Sequence, residues 1–315
     1  MMKSLLCLLV VIPNFVDAQV AVPRDTSFTV YSSYVKESKK RPYITVAEAA
    51  LPPGVRQKKQ LVFALVNGRK LYADIFYPVA TSKKGYPGIV MIFGGGWKSG
   101  DRSQNVPIAQ QLAAKGYVAM TIDYRLSPEA TYPAAVYDVK AAIRWLRANG
   151  KEFGLNPKKI ATLGMSAGGQ LAALAGATNG RKELEGDEGN TKQQADVQAI
   201  IDIDGILAFH HPESAEGAVA AEWLGGTYAE KPAIWQAASA LTYAGNTSPP
   251  MLFINSSTPR FHAGRDDMIK KLDSVGVYTE VHTLPDTPHP FWFFHPWFKA
   301  TVQYCIDFLD KVFAK

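Results

Sequence analysis

Lys159-Ile160-Ala161-Thr162-Leu163-Gly164-Met165-Ser166-Ala167-Gly168-Gly169-Gln170-Leu171-Ala172-Ala173-Leu174 reads as a strand that turns sharply into a helix with a serine at the corner. A short apolar run is followed by Gly-x-Ser-x-Gly and then by an Ala/Leu-rich stretch. Such a corner holds Ser166 in strained backbone angles, and its crowded inner side leaves no room for side chains, so Gly164 and Gly168 fit where alanine would clash. The helix beginning at Ala167 would aim its free N–H groups at negative charge forming beside the serine oxygen. The five-residue pattern alone is weak, since a chain of 315 residues holds roughly 0.1 such matches by chance. The strand before it, the helix after it and a second motif upstream give it weight.

Working outward, Asn67-Gly68-Arg69-Lys70 lies between the β-rich runs 61–66 and 71–77, and Asn-Gly in that setting predicts a hairpin, so the sheet opens antiparallel. From Gly88 onward strands and helices alternate, which implies a parallel sheet covered on both faces. Besides the elbow strand, strands are expected at 89–93, 118–123, 197–204, 251–255 and 278–284. Helices are expected at 106–115, 134–149, 265–275 and 301–313. Residues 205–250 form an insertion with two expected helices, a small cap over the site. Residues 19–56 show no strong periodicity and several breakers, Pro23, Pro42 and Pro52-Pro53-Gly54, and read as an extension packed over one catalytic domain at 57–315.

After the strand ending at Phe93 comes Gly94-Gly95-Gly96-Trp97-Lys98-Ser99-Gly100-Asp101-Arg102. Three glycines let backbone amides approach a substrate closely, as acyl transfer requires for its oxyanion. No Gly-Lys-Ser/Thr follows, which argues against a phosphate loop. Gly95, Gly96 and Ala167 are the expected oxyanion donors, with Trp97 beside them as a substrate contact. A serine hydroxyl becomes nucleophilic only when a base takes its proton. Of six histidines, His289 follows the last strand, where it can reach the C-terminal edge of the sheet beside Ser166, and His295 is its main rival. The neighbouring Phe291-Trp292-Phe293-Phe294 reads either as core or as a sugar-stacking platform.

With 47% hydrophobic and 20% charged residues the chain has material for a large core. Residues 1–18 read as a secretory signal: Lys3, an apolar region from Leu5 to Val16, then Val16-Asp17-Ala18 as a cleavage site, leaving Gln19 as the first mature residue and a secreted or periplasmic location. Pro13 and Asn14 interrupt the apolar run well short of the roughly 20 residues a membrane span needs. After cleavage only Cys305 remains, so neither an internal disulfide nor a cysteine-based metal site is expected. The net charge of +6 comes from dispersed lysines and arginines without a basic helix, which argues against nucleic acid and leaves either simple solubility or an anionic polymer substrate.

These residues resemble the α/β-hydrolase superfamily, and within it the secreted carbohydrate esterases, the acetyl, pectin and feruloyl-esterase-like group. The resemblance covers residues 60–315 and includes Asp123-Tyr124-Arg125-Leu126-Ser127-Pro128-Glu129-Ala130 and Asp138-Val139-Lys140-Ala141-Ala142-Ile143-Arg144-Trp145-Leu146. It implies an α/β-hydrolase fold with helices on both faces, no metal and no cofactor. It also implies a Ser-His-acid triad acting on esters of a polysaccharide or oligosaccharide, pectin among them. Two departures stand out. Phe93 replaces the family's histidine ahead of the glycines, and the stretch after residue 255, Ser256-Ser257-Thr258-Pro259-Arg260-Phe261-His262-Ala263-Gly264-Arg265, lacks the usual carboxylate. Asp204, ending the preceding strand, is the first candidate acid, with Asp286 and Asp266 behind it and Asp202 as a structural partner.

Arg260, His262 and Arg265 stand where that acid is missing and read as substrate contacts. Two guanidinium groups there could clamp carboxylates of an acidic glycan, or could instead pair with Asp266, Asp267 or the C-terminal helix. Two other functions fit parts of the pattern. One is a serine peptidase, which shares the triad, and the other is a non-catalytic glycan-binding protein on the same scaffold.

Overall fold

Asn67 and Gly68 take φ values of 48° and 81°, the pair that a two-residue type I′ turn needs, and they join strands β2 (Val55–Val66) and β3 (Arg69–Pro78) as the hairpin predicted. The computed structural model describes residues 25–127 and 129–314, so the expected signal segment 1–18 lies outside the described residues. Before the hairpin come α1 (Val30–Glu37) and β1 (Thr45–Val46). After it follow β4 (Tyr86–Ile92), α2 (Val106–Ala114), β5 (Val118–Ile122), α3 (Ala134–Asn149), β6 (Leu155–Met165) and α4 (Ala167–Ala177). The chain continues through β7 (Ala199–Ile203), α5 (Gly217–Leu224), α6 (Pro232–Ala237), β8 (Met251–Asn255), α7 (Arg265–Ser274), β9 (Thr279–Thr283), β10 (Phe294–His295) and α8 (Trp297–Phe313).

The main sheet has the order β2-β3-β5-β4-β6-β7-β8-β9. The pairs β2–β3 and β3–β5 are antiparallel and every later pair is parallel. Side chains on β4 alternate between faces: Val90 and Ile92 enter the core under α3 and α4, Ile89 and Met91 the core under α2 and α8. Helix α3 buries Val136, Val139, Ile143 and Leu146, the stripe its spacing predicts. Helix α8 begins one turn earlier than expected, at Trp297, because Phe298 and Val302 extend its apolar face back to Pro296. The aromatic run Phe291 to Phe294 is buried in the second core, so it packs rather than stacks on substrate.

Strand order turns at β4, which has β5 on one side and β6 on the other, and the crevice at the strands' C-terminal ends there is where ligands bind in open sheets of this kind. The corner between β6 and α4 is the tightest point: a Cβ on Gly164 would stand 1.9 Å from the carbonyl oxygen of Gly168. Gly164→Ala is therefore expected to destabilise the protein by about 3 kcal/mol. The measurement is urea unfolding, with a lowered midpoint and unchanged slope, and a midpoint equal to that of the parent would contradict this packing. Among the described residues no helix is long and apolar enough to cross a membrane.

Candidate active site

Four strand ends converge on one point. Ser166, at the corner after β6, has φ 54° and ψ −122°, a conformation that costs a non-glycine residue about 1–3 kcal/mol. It is held by its amide donating to the Ile203 carbonyl at 2.8 Å, while its own carbonyl accepts from Gln170 at 3.0 Å as the first helical bond of α4. The hydroxyl thereby points out of the sheet edge.

His289 reaches it from the loop after β9. The Ser166 Oγ–H donates to His289 Nε2 at 2.8 Å, and His289 Nδ1–H donates to Asp204 Oδ2 at 2.9 Å. Asp204 directly follows β7 with φ 52°, is 1% exposed, and turns its other oxygen to accept the Ser256 amide at 2.8 Å. The acid therefore comes from the strand before β8, and the segment that lacks a carboxylate supplies an N–H to orient it. The structure brings Ser166, His289 and Asp204 into one line and leaves the rivals elsewhere. His295 sits in β10 opposite Thr45, Asp266 pairs with Arg265, and Asp286 lends its carbonyl to Arg41. Asp202 is a structural partner, accepting from the Gly205 amide at 2.9 Å, and burial beside Asp204 holds its carboxyl well above the usual carboxylate range.

On the other side of the hydroxyl lie backbone amides. Among the described residues those of Gly95, Gly96 and Ala167 donate to no protein group, and Gly95 and Gly96 line the cavity that Ser166 opens into. The Gly95 carbonyl accepts from Lys98 at 3.2 Å and Ser99 at 3.0 Å, which folds the loop so tightly that a Cβ on Gly95 would come within 2.0 Å of the Ser99 oxygen. Phe93, in place of the family's histidine, is locked from another direction: its ring stacks on Tyr124 at 4.4 Å, and the Tyr124 hydroxyl donates to its carbonyl at 3.1 Å. The loop thus holds its shape without an imidazole.

Of the expected substrate contacts, His262 and Arg265 lie outside the cavity and Trp97 borders it only through a narrow crevice. The Trp97 ring is 2% exposed, stacks on Trp223 at 5.1 Å and donates from Nε1 to Gln170 at 2.9 Å, so it fastens the loop to α4 and α5 and borders only a narrow crevice beside Ser166. His262 is 7% exposed and does not line the cavity, and its imidazole is pushed below its usual range by burial and by the Arg265 guanidinium. Arg265 donates to Asn255 Oδ1 at 3.0 Å and pairs with Asp266 at 2.8 Å, because the first turn of α7 directs it back along the sheet. The two-arginine clamp is not formed. Arg260 does line the cavity, its guanidinium carbon 4.3 Å from the Phe261 ring centre.

The cavity, about 450 Å³, has walls that the sequence did not announce. Phe261 stacks on His289 at 3.5 Å with 11° between planes, and Trp292 meets the same imidazole edge-on at 5.1 Å, so the base is wedged in one orientation. Glu216 and Val219 enter from the 205–250 insertion. Opposite them stands the N-terminal segment, with Phe28, Ser32, Ser33 and Lys36. Thr29 and Ser32 close α1 with a capping box, but Ser32 stands where glutamate or glutamine would be the recognisable signal. Ser99 ties this segment to the glycine loop, its hydroxyl donating to the Asp25 carbonyl at 2.8 Å and accepting the Phe28 amide at 3.0 Å.

A hydroxyl, a base, an acid that orients the base and unengaged amides form a site for nucleophilic acyl transfer. The BD-FAE family model matches residues 73–276. The esterase LipC of Mycobacterium tuberculosis is 33% identical over 179 residues, 54% of this chain and 44% of that protein. The chain spans about half the length of the curated relatives it matches. Among solved structures, a truncated carbohydrate esterase from gut microbiota superposes with a TM-score of 0.69 at 26% identity, over 82% of this chain and 97% of that one. The apo form of Thermogutta terrifontis esterase 2 gives 0.69 at 26% identity, over 82% and 95%. With the strand order, the serine corner and this match in agreement, the chain belongs to the BD-FAE family, on the α/β-hydrolase fold.

Proposed function

We propose that the protein is a serine carboxylic ester hydrolase that removes small acyl groups, acetate above all, from carbohydrate. The observation that carries this reading is the unbroken relay from Ser166 through His289 to Asp204, at 2.8 and 2.9 Å. Ser166 Oγ attacks the ester carbonyl carbon as its proton passes to His289 Nε2, and the resulting oxyanion accepts hydrogen bonds from the amides of Gly95, Gly96 and Ala167. Collapse breaks the bond to the sugar oxygen, which takes the proton from His289. Water then repeats the sequence on the acyl-enzyme and releases the acid.

Acyl size is argued from the crevice beside Ser166, about 20 Å³, bounded by Trp97, Ile206 and Phe261. That is room for about one water-sized group, which suits an acetyl methyl. Carbohydrate is argued from the hydroxyl and charged groups that line the larger cavity, Ser27, Ser32, Lys36, Glu216 and Arg260, and from the likeness to a carbohydrate esterase. An acidic glycan such as acetylated pectin is the favoured polymer, because Arg260 and Lys36 face the cavity and neither forms a direct ion pair with a carboxylate among the described residues, Arg260 acting on Glu216 only at longer range.

The test is product analysis on acetylated xylan, acetylated pectin and methylated pectin. Acetate release with little methanol is expected, and methanol without acetate would overturn the acyl assignment. Arg260→Ala is expected to lower turnover of acetylated pectin about ten-fold more than that of p-nitrophenyl acetate. Equal losses would remove the acidic-glycan reading.

A further inference from the structure

Glu216 is a charged group at the nucleophile that neither the relay nor the packing employs. It precedes α5, yet its side chain does not cap that helix. It borders both the open cavity and the narrow crevice, and so stands at their junction, where an ester bound for attack has its acyl group on one side and its alcohol on the other. Its Oε1 is buried and has no hydrogen-bond partner among the described residues. The other carboxylate in the cavity wall is engaged, Glu37 with Arg41 at 2.9 Å, as is Lys98, with Glu222 at 3.4 Å. A buried acceptor left without a donor is unfavourable unless something arrives to fill it.

We propose that Glu216 is a specificity-determining residue that accepts a hydrogen bond from a free sugar hydroxyl next to the ester being cleaved. The inference rests on the ester hydrolysis proposed above. An ester oxygen on a pyranose ring carries such a hydroxyl on the neighbouring carbon, and a substrate seated with its acyl methyl in the crevice presents that hydroxyl toward the junction. Burial holds the Glu216 carboxyl above its usual range while Arg260 and His289 draw it down, so it sits in a tuned setting, not in bulk solvent. A site built to bind a hydroxyl discriminates strongly against an ester that lacks one.

The experiment compares kcat/KM for a monoacetylated methyl xyloside, which keeps free hydroxyls beside its ester, with kcat/KM for p-nitrophenyl acetate, which has none. In Glu216→Ala the ratio of the two falls by at least about ten-fold relative to the parent. In Glu216→Gln, which keeps an oxygen acceptor of the same shape, the ratio falls less. Fluorophosphonate labelling of Ser166 verifies that each variant retains its nucleophile. A ratio in Glu216→Ala within about two-fold of the parent overturns the proposal while leaving the hydrolase reading intact. So does a parent protein that cleaves p-nitrophenyl acetate but ignores the xyloside. A parent inert toward both esters and unlabelled by the fluorophosphonate overturns the hydrolase reading itself.

Discussion

Ser166→Ala lowers kcat on p-nitrophenyl acetate by about ten thousand- to a million-fold and abolishes labelling by a fluorophosphonate. The size of the effect follows from what the substitution removes. The 2.8 Å bond from Ser166 Oγ to His289 Nε2 is the route by which an alkoxide-like oxygen forms at this corner, and alanine leaves the imidazole with no proton to take. Backbone geometry survives, because the φ of 54° is imposed by the corner and not by the side chain. What remains is water attack assisted by the unengaged amides of Gly95, Gly96 and Ala167. Because the triad acts as a unit, adding His289→Ala to Ser166→Ala should change the residual rate little. A Ser166→Ala protein retaining more than about one per cent of the parent kcat would show that another group is the nucleophile.

Asp204→Asn is expected to lower kcat by about a thousand- to ten-thousand-fold with little change in unfolding midpoint. The structure explains both halves of that expectation. The substituted carboxamide would keep its oxygen for the Ser256 amide, now bonded to Asp204 Oδ1 at 2.8 Å, so the side chain stays in place. Its amide nitrogen then faces His289 Nδ1, where a carboxylate oxygen accepts at 2.9 Å in the parent. Two donors cannot share that contact, so the imidazole must carry its proton on Nε2 and can no longer take one from Ser166. Asp286→Asn and Asp266→Asn, at the two other candidate acids, should each change kcat by less than about three-fold, since neither residue touches His289. A large loss at either, with activity retained in Asp204→Asn, would reassign the acid.

The parts of this molecule that depend on local chain chemistry are legible in its sequence. The serine corner needs Gly164 and Gly168 wherever the fold occurs, the Asn67-Gly68 turn needs positive φ at both residues, and alternating strand and helix periods dictate a sheet covered on both faces. His289 and Asp204 could be placed because both follow a strand end, and strand ends converge. Side-chain direction is another matter. Trp97 is held by α4 and α5 so that it borders only the narrow crevice, and Arg265 is held against Asn255, packing that no local pattern encodes. Phe261 is the converse case, an aromatic between two basic residues whose partner, His289, lies 28 residues farther on in the chain and is brought beside it across β9. The role of residues 25–37 is hard to read in the sequence because one face of α1 is exposed while Val30 and Tyr34 on the other pack only partly buried against the second core, which blurs any helical stripe.

That N-terminal strip does two jobs through one residue. The Ser99 hydroxyl that fastens Asp25 and Phe28 belongs to the residue whose amide closes the bend at Gly95. Sequence drift that reshapes the recess for a new glycan therefore tugs on the very peptide groups that stabilise bond breaking. Preference and speed are mechanically yoked in this scaffold, and a lineage retailoring one inherits a change in the other.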